Sequence, residues 1–323
     1  MRYIIIGAGA VGGTIGGRLF QAGKNVLLVA RGAHLSALRE TGLRLMTPES
    51  DELLPIPATD RPVDPREGDV LVVATKSQDT LAALDAWPRD LPVFCAQNGV
   101  ANEEMVLRRF PRVYGVCVWL PAAHLEPGLV ASYGWPHSGL LQLGRYPQGV
   151  DELAEQVSAD LTKSGFVAPA GPDVMRFKYG KLLSNLGNAV EALCGHDESI
   201  AGLAAQARAE GEEVLRAAGI AFPSREEEAE IRGDRVDLRP IEGLARGGGS
   251  SWQSLARGTG SIEADYLNGE IVLLARRLGI AAPVNEVLQR EANRAARERL
   301  RPGSMSVAAI EELIGGFREA TAG

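Results

Sequence analysis

Arg2-Tyr3-Ile4-Ile5-Ile6, followed at once by Gly7-Ala8-Gly9-Ala10-Val11-Gly12, opens the chain and leads into a helix-like run over 13–22. A β-branched run that ends in G-x-G-x-x-G and enters a helical pattern predicts the strand, turn and helix that cradle a dinucleotide. In that reading Gly7 permits the tight turn, Gly9 lets the backbone approach a pyrophosphate, and Gly12 lets helix and strand pack closely. Ala8, Ala10 and Val11 complete the loop, and the amides at the helix start face the ligand's negative charge. The apolar run 25–30 is the second strand, so the glycines sit in the setting that separates a nucleotide loop from an ordinary glycine-rich turn.

The second strand runs into Arg31, where many NAD-binding folds carry an acidic residue that grips the ribose 2′-hydroxyl. An arginine there suits a 2′-phosphate, which favours NADP(H) over NAD as the cofactor. Further strands are predicted over 69–74 and 92–96, the first a near-continuous apolar run as expected for a parallel strand buried on both faces. They end in Thr75-Lys76-Ser77 and Gln97-Asn98-Gly99. Ligands of open α/β sheets bind beyond the carboxyl ends of the strands, which puts Lys76 and Asn98 at a cleft. Lys76 could meet cofactor or substrate, and Asn98 could contact substrate or the nicotinamide ribose.

Helical spacing over 34–42, 78–87 and 151–164 alternates with strand-like runs over 112–120, 128–133, 139–144 and 166–168. The proline-dotted stretch 48–65 reads as loops and short edge strands. Gly171-Pro172 marks a boundary, beyond which 174–194, 199–218, 251–278 and 285–300 carry helical apolar spacing, with a break expected at Gly258 and Gly260. The charged stretch 225–239 reads as solvated helix. Gly247-Gly248-Gly249 reads as a hinge or a place where backbone meets ligand. The expected fold is α/β, with a Rossmann-type dinucleotide-binding domain over 1–171 followed by an all-helical domain over 172–323.

Composition narrows the function classes. A chain of 323 residues exceeds the size at which single cores stop growing, about 250 to 300 residues, so two domains are expected. A net charge of −7 disfavours a nucleic-acid binder, which needs a basic surface. The three cysteines form no C-x-x-C pair and the four histidines no metal-ligand spacing, so neither a disulfide framework nor a metal site is expected. No apolar run reaches the length of a membrane span, and the first apolar run belongs to a strand rather than to a secretory signal. A cytoplasmic protein is expected, and the apolar helices of the second domain could supply a homodimer interface.

Lys181 and Asn185 lie four apart in a helical pattern, so an ammonium and an amide share one face. Read alone they are a solvated pair, just as Glu263 alone is an exposed helical carboxylate and Ser251 a helix cap. Taken together, residues 7–12, Arg31, Lys76, Gln97-Asn98-Gly99, Lys181-Leu182-x-x-Asn185, Ser250-Ser251 and Glu263-x-Asp265-Tyr266-x-Asn268-Gly269 resemble the ketopantoate reductases, or 2-dehydropantoate 2-reductases. The run ending Gly279-Ile280-Ala281-Ala282-Pro283 is similar as well.

The resemblance covers nearly the whole chain and implies NADPH-dependent reduction of a 2-oxo acid in a cleft between a Rossmann and a helical domain. It implies that Lys181 gives a proton to the ketone oxygen, that Glu263 binds the substrate hydroxyl or holds the lysine, and that Asn98, Asn185 and Ser251 position the substrate. Two positions depart from the family pattern: Ala189 replaces a second asparagine eight residues beyond the lysine, and Leu255 replaces an acid four beyond the serine. A dehydrogenase of another small substrate, or a non-catalytic NADP redox sensor on the same plan, are the alternatives.

Overall fold

The computed structural model describes residues 1–196, 199–244 and 247–322. The chain forms two compact units, Met1–Lys178 with Pro223–Arg246, and Tyr179–Phe222 with Gly247–Gly323. They differ from the expected segments 1–171 and 172–323, because the change of unit falls inside a helix and a later segment returns to the first unit.

The first unit starts with β1 (Arg2–Ile6), α1 (Ala10–Gln21), β2 (Asn25–Val29) and α2 (Gly32–Glu40). β3 (Leu43–Met46), β4 (Asp51–Leu54) and β5 (Ala58–Thr59) follow, then β6 (Asp69–Val73), α3 (Thr80–Leu84), β7 (Val93–Cys95) and α4 (Asn102–Leu107). Next come β8 (Val113–Trp119), β9 (Ala122–Glu126), β10 (Leu129–Ser132), β11 (Gly134–Pro136), β12 (Leu140–Arg145) and α5 (Glu152–Lys163).

Seven strands make the main sheet in the order β12-β8-β7-β6-β1-β2-β5. All of its pairings are parallel except β12 on β8. Tyr3 and Ile5 of β1 enter one hydrophobic core and Ile4 and Ile6 the other, as a strand buried on both faces requires. A second sheet, β4-β3-β10-β9, lies on the far side of α1. The helix fits between them because its glycines fall on two faces. A Cβ on Gly16 would meet Leu28 and Ile5 of the main sheet, whereas one on Gly13 or Gly17 would meet Val130 or Leu45 of the second.

The structure departs from the sequence reading in several places. The helix expected over 78–87 is a 3₁₀ turn over Ser77–Asp79 and the short α3. Residues 166–168 make only isolated bridge contact with β12, at Val167, rather than a closing strand. The second sheet escaped the sequence reading because its strands are short and pair across distant segments.

The second unit begins within α6 (Val174–Asn185) and continues with α7 (Gly187–Cys194) and α8 (Ile200–Ala217). The excursion back to the first unit carries α9 (Arg225–Arg232) and β13 (Val236–Leu238), which pairs with β11, so 225–239 is not one helix. The chain ends with α10 (Ser250–Ala256), α11 (Asn268–Leu278), α12 (Pro283–Arg297) and α13 (Val307–Ala322).

Two buried asparagines lock the second unit together. Asn268 Nδ2 donates to the carbonyl of Leu186 at 3.1 Å and to Asn285 Oδ1 at 2.9 Å, while Asn285 Nδ2 donates to Ala207 O at 3.0 Å. Glu210 accepts the backbone amides of Val284 and Asn285 and so caps the start of α12. Among the described residues no helix is long and apolar enough to cross a membrane.

Candidate active site

The glycine loop has the shape its sequence predicts. Gly7 sits at φ +96°, and a Cβ there would come within 3.0 Å of the Ala74–Thr75 backbone. A Cβ on Gly12 would stand 2.0 Å from the Gly7 carbonyl oxygen. Gly9 is different: a Cβ there would meet nothing within 4 Å. Protein packing therefore explains Gly7 and Gly12, while the bare backbone of Gly9 faces open space beside the start of α1, as close approach of a pyrophosphate requires. The residues fit a dinucleotide.

His34 holds this loop from behind. Its Nδ1 accepts the Gly128 amide at 2.9 Å, which leaves Nε2 to donate to the Ala8 carbonyl at 2.7 Å. Burial pushes the His34 imidazole below its ordinary value, so the neutral ring is favoured. Among the described residues no cluster of histidine, cysteine and carboxylate side chains could hold a metal.

Arg31 lies exposed where β2 meets α2, at the N-cap of that helix. Lys76 is half-buried just before the 3₁₀ turn after β6, and Asn98 lies beyond β7. These two strand ends are tied to each other. Gln97 Nε2 donates to Thr75 O at 2.9 Å and to Thr80 Oγ1 at 2.7 Å. Thr80 Oγ1 donates to Asn102 Oδ1 at 2.8 Å, and Asn102 Nδ2 reaches Ser77 Oγ and the Asn98 carbonyl. The network leaves the buried Asn98 Oδ1, Thr75 Oγ1 and Gln97 Oε1 without hydrogen-bond partners among the described residues. Buried polar atoms are nearly always paired, so three unpaired oxygens at the ends of two adjacent strands stand out.

Lys178, Glu103 and Asn102 were not singled out from the sequence, and Gln97 entered only within the Gln97-Asn98-Gly99 tripeptide. Lys178 and Gln97 are 81 residues apart, and no local spacing announces a contact of that range.

In the second unit Lys181 and Asn185 lie one turn apart on α6 as expected. Lys181 is half-buried, and Asn185 is 4% exposed with its Nδ2 unpartnered among the described residues. Ser251 is buried in the first turn of α10, which packs on α7, and Glu263 opens a 3₁₀ turn over Glu263–Tyr266 that packs on α11 and α12. The expected break between Ser251 and Glu263 is present.

The triglycine stretch makes room for side chains of its own unit. A Cβ on Gly248 would collide with Trp252 and His196, and one on Gly249 with Glu191, whose Oε2 accepts the Gly249 amide at 2.9 Å. Both departures from the family pattern, Ala189 and Leu255, are buried.

A parallel sheet with a glycine cradle after its first strand, and polar residues gathered at the ends of β6 and β7, defines a dinucleotide-binding enzyme. Residues 3–148 match the family Ketopantoate reductase PanE/ApbA and residues 174–295 match its C-terminal region. The chain belongs to the ketopantoate reductase family of oxidoreductases.

A 2-dehydropantoate 2-reductase of Archaeoglobus fulgidus is 31% identical over 302 residues, which cover 89% of this chain and 95% of the relative. The crystal structure of a PanE/ApbA family ketopantoate reductase from Ralstonia eutropha JMP134 is 29% identical, with a TM-score of 0.75 over 93% of this chain and 99% of that one. A D-mandelate dehydrogenase in ternary complex with NADH and anilino(oxo)acetate shares the fold at 24% identity, with a TM-score of 0.78 over 92% of this chain and 99% of the other.

Proposed function

We propose that this protein reduces ketopantoate, or a closely related 2-oxo acid, to the 2-hydroxy acid with NADPH. The observation that carries the reading is the glycine cradle, open at Gly9, with orphaned Thr75 and Asn98 oxygens at the ends of β6 and β7. Bound there, the cofactor supplies a hydride to the ketone carbon. The loop 7–12 holds the pyrophosphate through backbone amides, Arg31 pairs with the 2′-phosphate, and Lys76 neutralises charge on cofactor or substrate.

Lys181 gives a proton to the carbonyl oxygen as the carbon accepts hydride. An ammonium both stabilises the developing alkoxide and completes the hydroxyl, so atoms and charge balance in one step. Asn98, Asn185 and Ser251 orient the oxo acid, and Glu263 binds its hydroxyl or holds the lysine. The unpartnered Asn98 Oδ1 and Asn185 Nδ2 supply an acceptor and a donor whose desolvation is already met in the fold.

A second reading, a reductase of a bulkier or less polar 2-oxo acid, is favoured by Ala189 and Leu255, which remove one amide and one charge from the family pattern. Steady-state turnover on a panel holding ketopantoate, short aliphatic oxo acids and an aryl oxo acid, each with NADPH and NADH, tests both readings. The highest kcat/KM is expected for ketopantoate with NADPH. An aryl oxo acid ahead of it would favour the second reading, and no turnover despite saturable NADPH binding would favour a redox sensor.

A further inference from the structure

A buried ion pair lies beneath the end of β7. Lys178 is 2% exposed and Glu103 0%, with Nζ 2.5 Å from Oε1. Gly115 of β8 lies against the pair: a Cβ there would stand 3.5 Å from both Glu103 Oε1 and Lys178 Cδ, at ordinary contact distance. Burial pushes the Glu103 carboxyl above the ordinary carboxylate range, and the Lys178 ammonium pulls it back. Glu103 Oε2 has no hydrogen-bond partner among the described residues. A buried pair left incompletely satisfied is a poor source of stability, since well-packed apolar side chains of similar volume often do as well or better.

What the pair does hold is backbone. Lys178 Nζ donates to the carbonyl of Gln97 at 2.9 Å and to that of Val116 at 3.4 Å. The Gln97 carbonyl belongs to the peptide that leads into Asn98, and the carbonyl of Asn98 itself is held by Asn102 Nδ2 at 3.2 Å. Asn98 is thus clamped on both sides, with Gly99 at φ +79° turning the chain away beyond it. Its side-chain oxygen stays buried without a partner, as a group waiting for a ligand would.

We propose that Lys178, neutralised by Glu103, is a positioning residue that fixes the Gln97–Asn98 peptide and so aims the Asn98 amide at the bound cofactor and oxo acid. This rests on the functional reading above for the identity of the ligands. The hold on Asn98 is a property of the first unit alone.

A double-mutant cycle with Asn98→Ala tests the claim. Lys178→Met with Glu103→Leu removes both charges and keeps the apolar volume, so the melting temperature should stay close to that of the wild type. The expected result is a fall of at least about tenfold in kcat/KM and a rise of about threefold or more in the NADPH Kd. In the Asn98→Ala background the same pair of substitutions should change either quantity by less than about twofold, because residues acting through one group are non-additive. Equal losses in both backgrounds, or none in the wild-type background, would overturn the proposal.

If the double variant does not fold, Lys178→Arg, which keeps the buried charge but displaces the donor, is carried through the same cycle with the same expected and overturning results. A wild type that turns over no oxo acid would defeat the functional reading, while the cycle read in NADPH Kd would still decide the positioning claim.

Discussion

The carbonyl oxygen of Gly7 lies 2.0 Å from the point where a Cβ of Gly12 would stand, whereas a Cβ of Gly9, between them in the motif, would meet nothing within 4 Å. The three glycines of one motif therefore answer to different demands, and the first prediction separates them. Gly12→Ala should lower the melting temperature by several degrees through backbone collision. Gly9→Ala should leave the melting temperature within about 2 °C of the wild type, since it fills open space, yet raise the NADPH Kd by about tenfold or more. Thermal melts and fluorescence titrations on both variants check this. Equal NADPH affinity for Gly9→Ala and the wild type would remove the ligand from the loop.

Arg31 is exposed at the start of α2, and the proposed function assigns it the 2′-phosphate. A hydrogen bond to a charged group contributes about 1.5–3 kcal/mol, so Arg31→Ala should weaken NADPH binding by roughly 10- to 100-fold and leave NADH binding nearly unchanged. Titration of both cofactors into both proteins measures it. Equal losses would assign Arg31 no phosphate role.

Asn268 holds the Leu186 carbonyl at the break between α6 and α7, directly after Asn185. Asn268→Ala leaves that carbonyl and Asn285 Oδ1 without their donor, at a cost of about 1–3 kcal/mol in the stability of the second unit. Urea unfolding should show a lower midpoint with an unchanged slope. A midpoint equal to that of the wild type would mean the buried pair holds nothing.

The neutral His34 ring accepts the Gly128 amide at Nδ1, and its protonation would put a second donor where an acceptor is needed. Because the folded protein holds this imidazole below the ordinary 6.5, the unfolded chain takes up the proton first. The stabilisation is therefore complete above pH 6.5 and is lost as pH falls from there through the folded value. Melting temperatures measured downward from pH 7.5 should fall more steeply below pH 6.5 in the wild type than in His34→Gln. Parallel curves would exclude His34 as the titrating group.

The parts of this molecule written in local order were legible in the sequence. The glycine loop, the strand ends at Lys76 and Asn98, the one-turn spacing of Lys181 and Asn185 and the break before Glu263 all follow from turn chemistry and helical or strand periodicity. The second sheet, the return of Pro223–Arg246 to the first unit and the hold of Lys178 on Gln97 were not legible. Each depends on segments far apart in the chain, where periodicity carries no information. The glycines of α1 show the limit clearly. Gly12 was read as a site of helix–strand approach, but the neighbouring Gly13 and Gly17 serve a second sheet that no local pattern announced.

The central claim is that Lys181 protonates the oxygen of a 2-oxo acid as NADPH reduces its carbon, and steady-state kinetics of Lys181→Ala on ketopantoate, followed by NADPH absorbance, tests it most directly. Loss of a positioned general acid typically costs about 10²- to 10⁴-fold in rate, so kcat should fall into that range while NADPH affinity is kept. A Lys181→Ala enzyme with the full kcat of the wild type would contradict it.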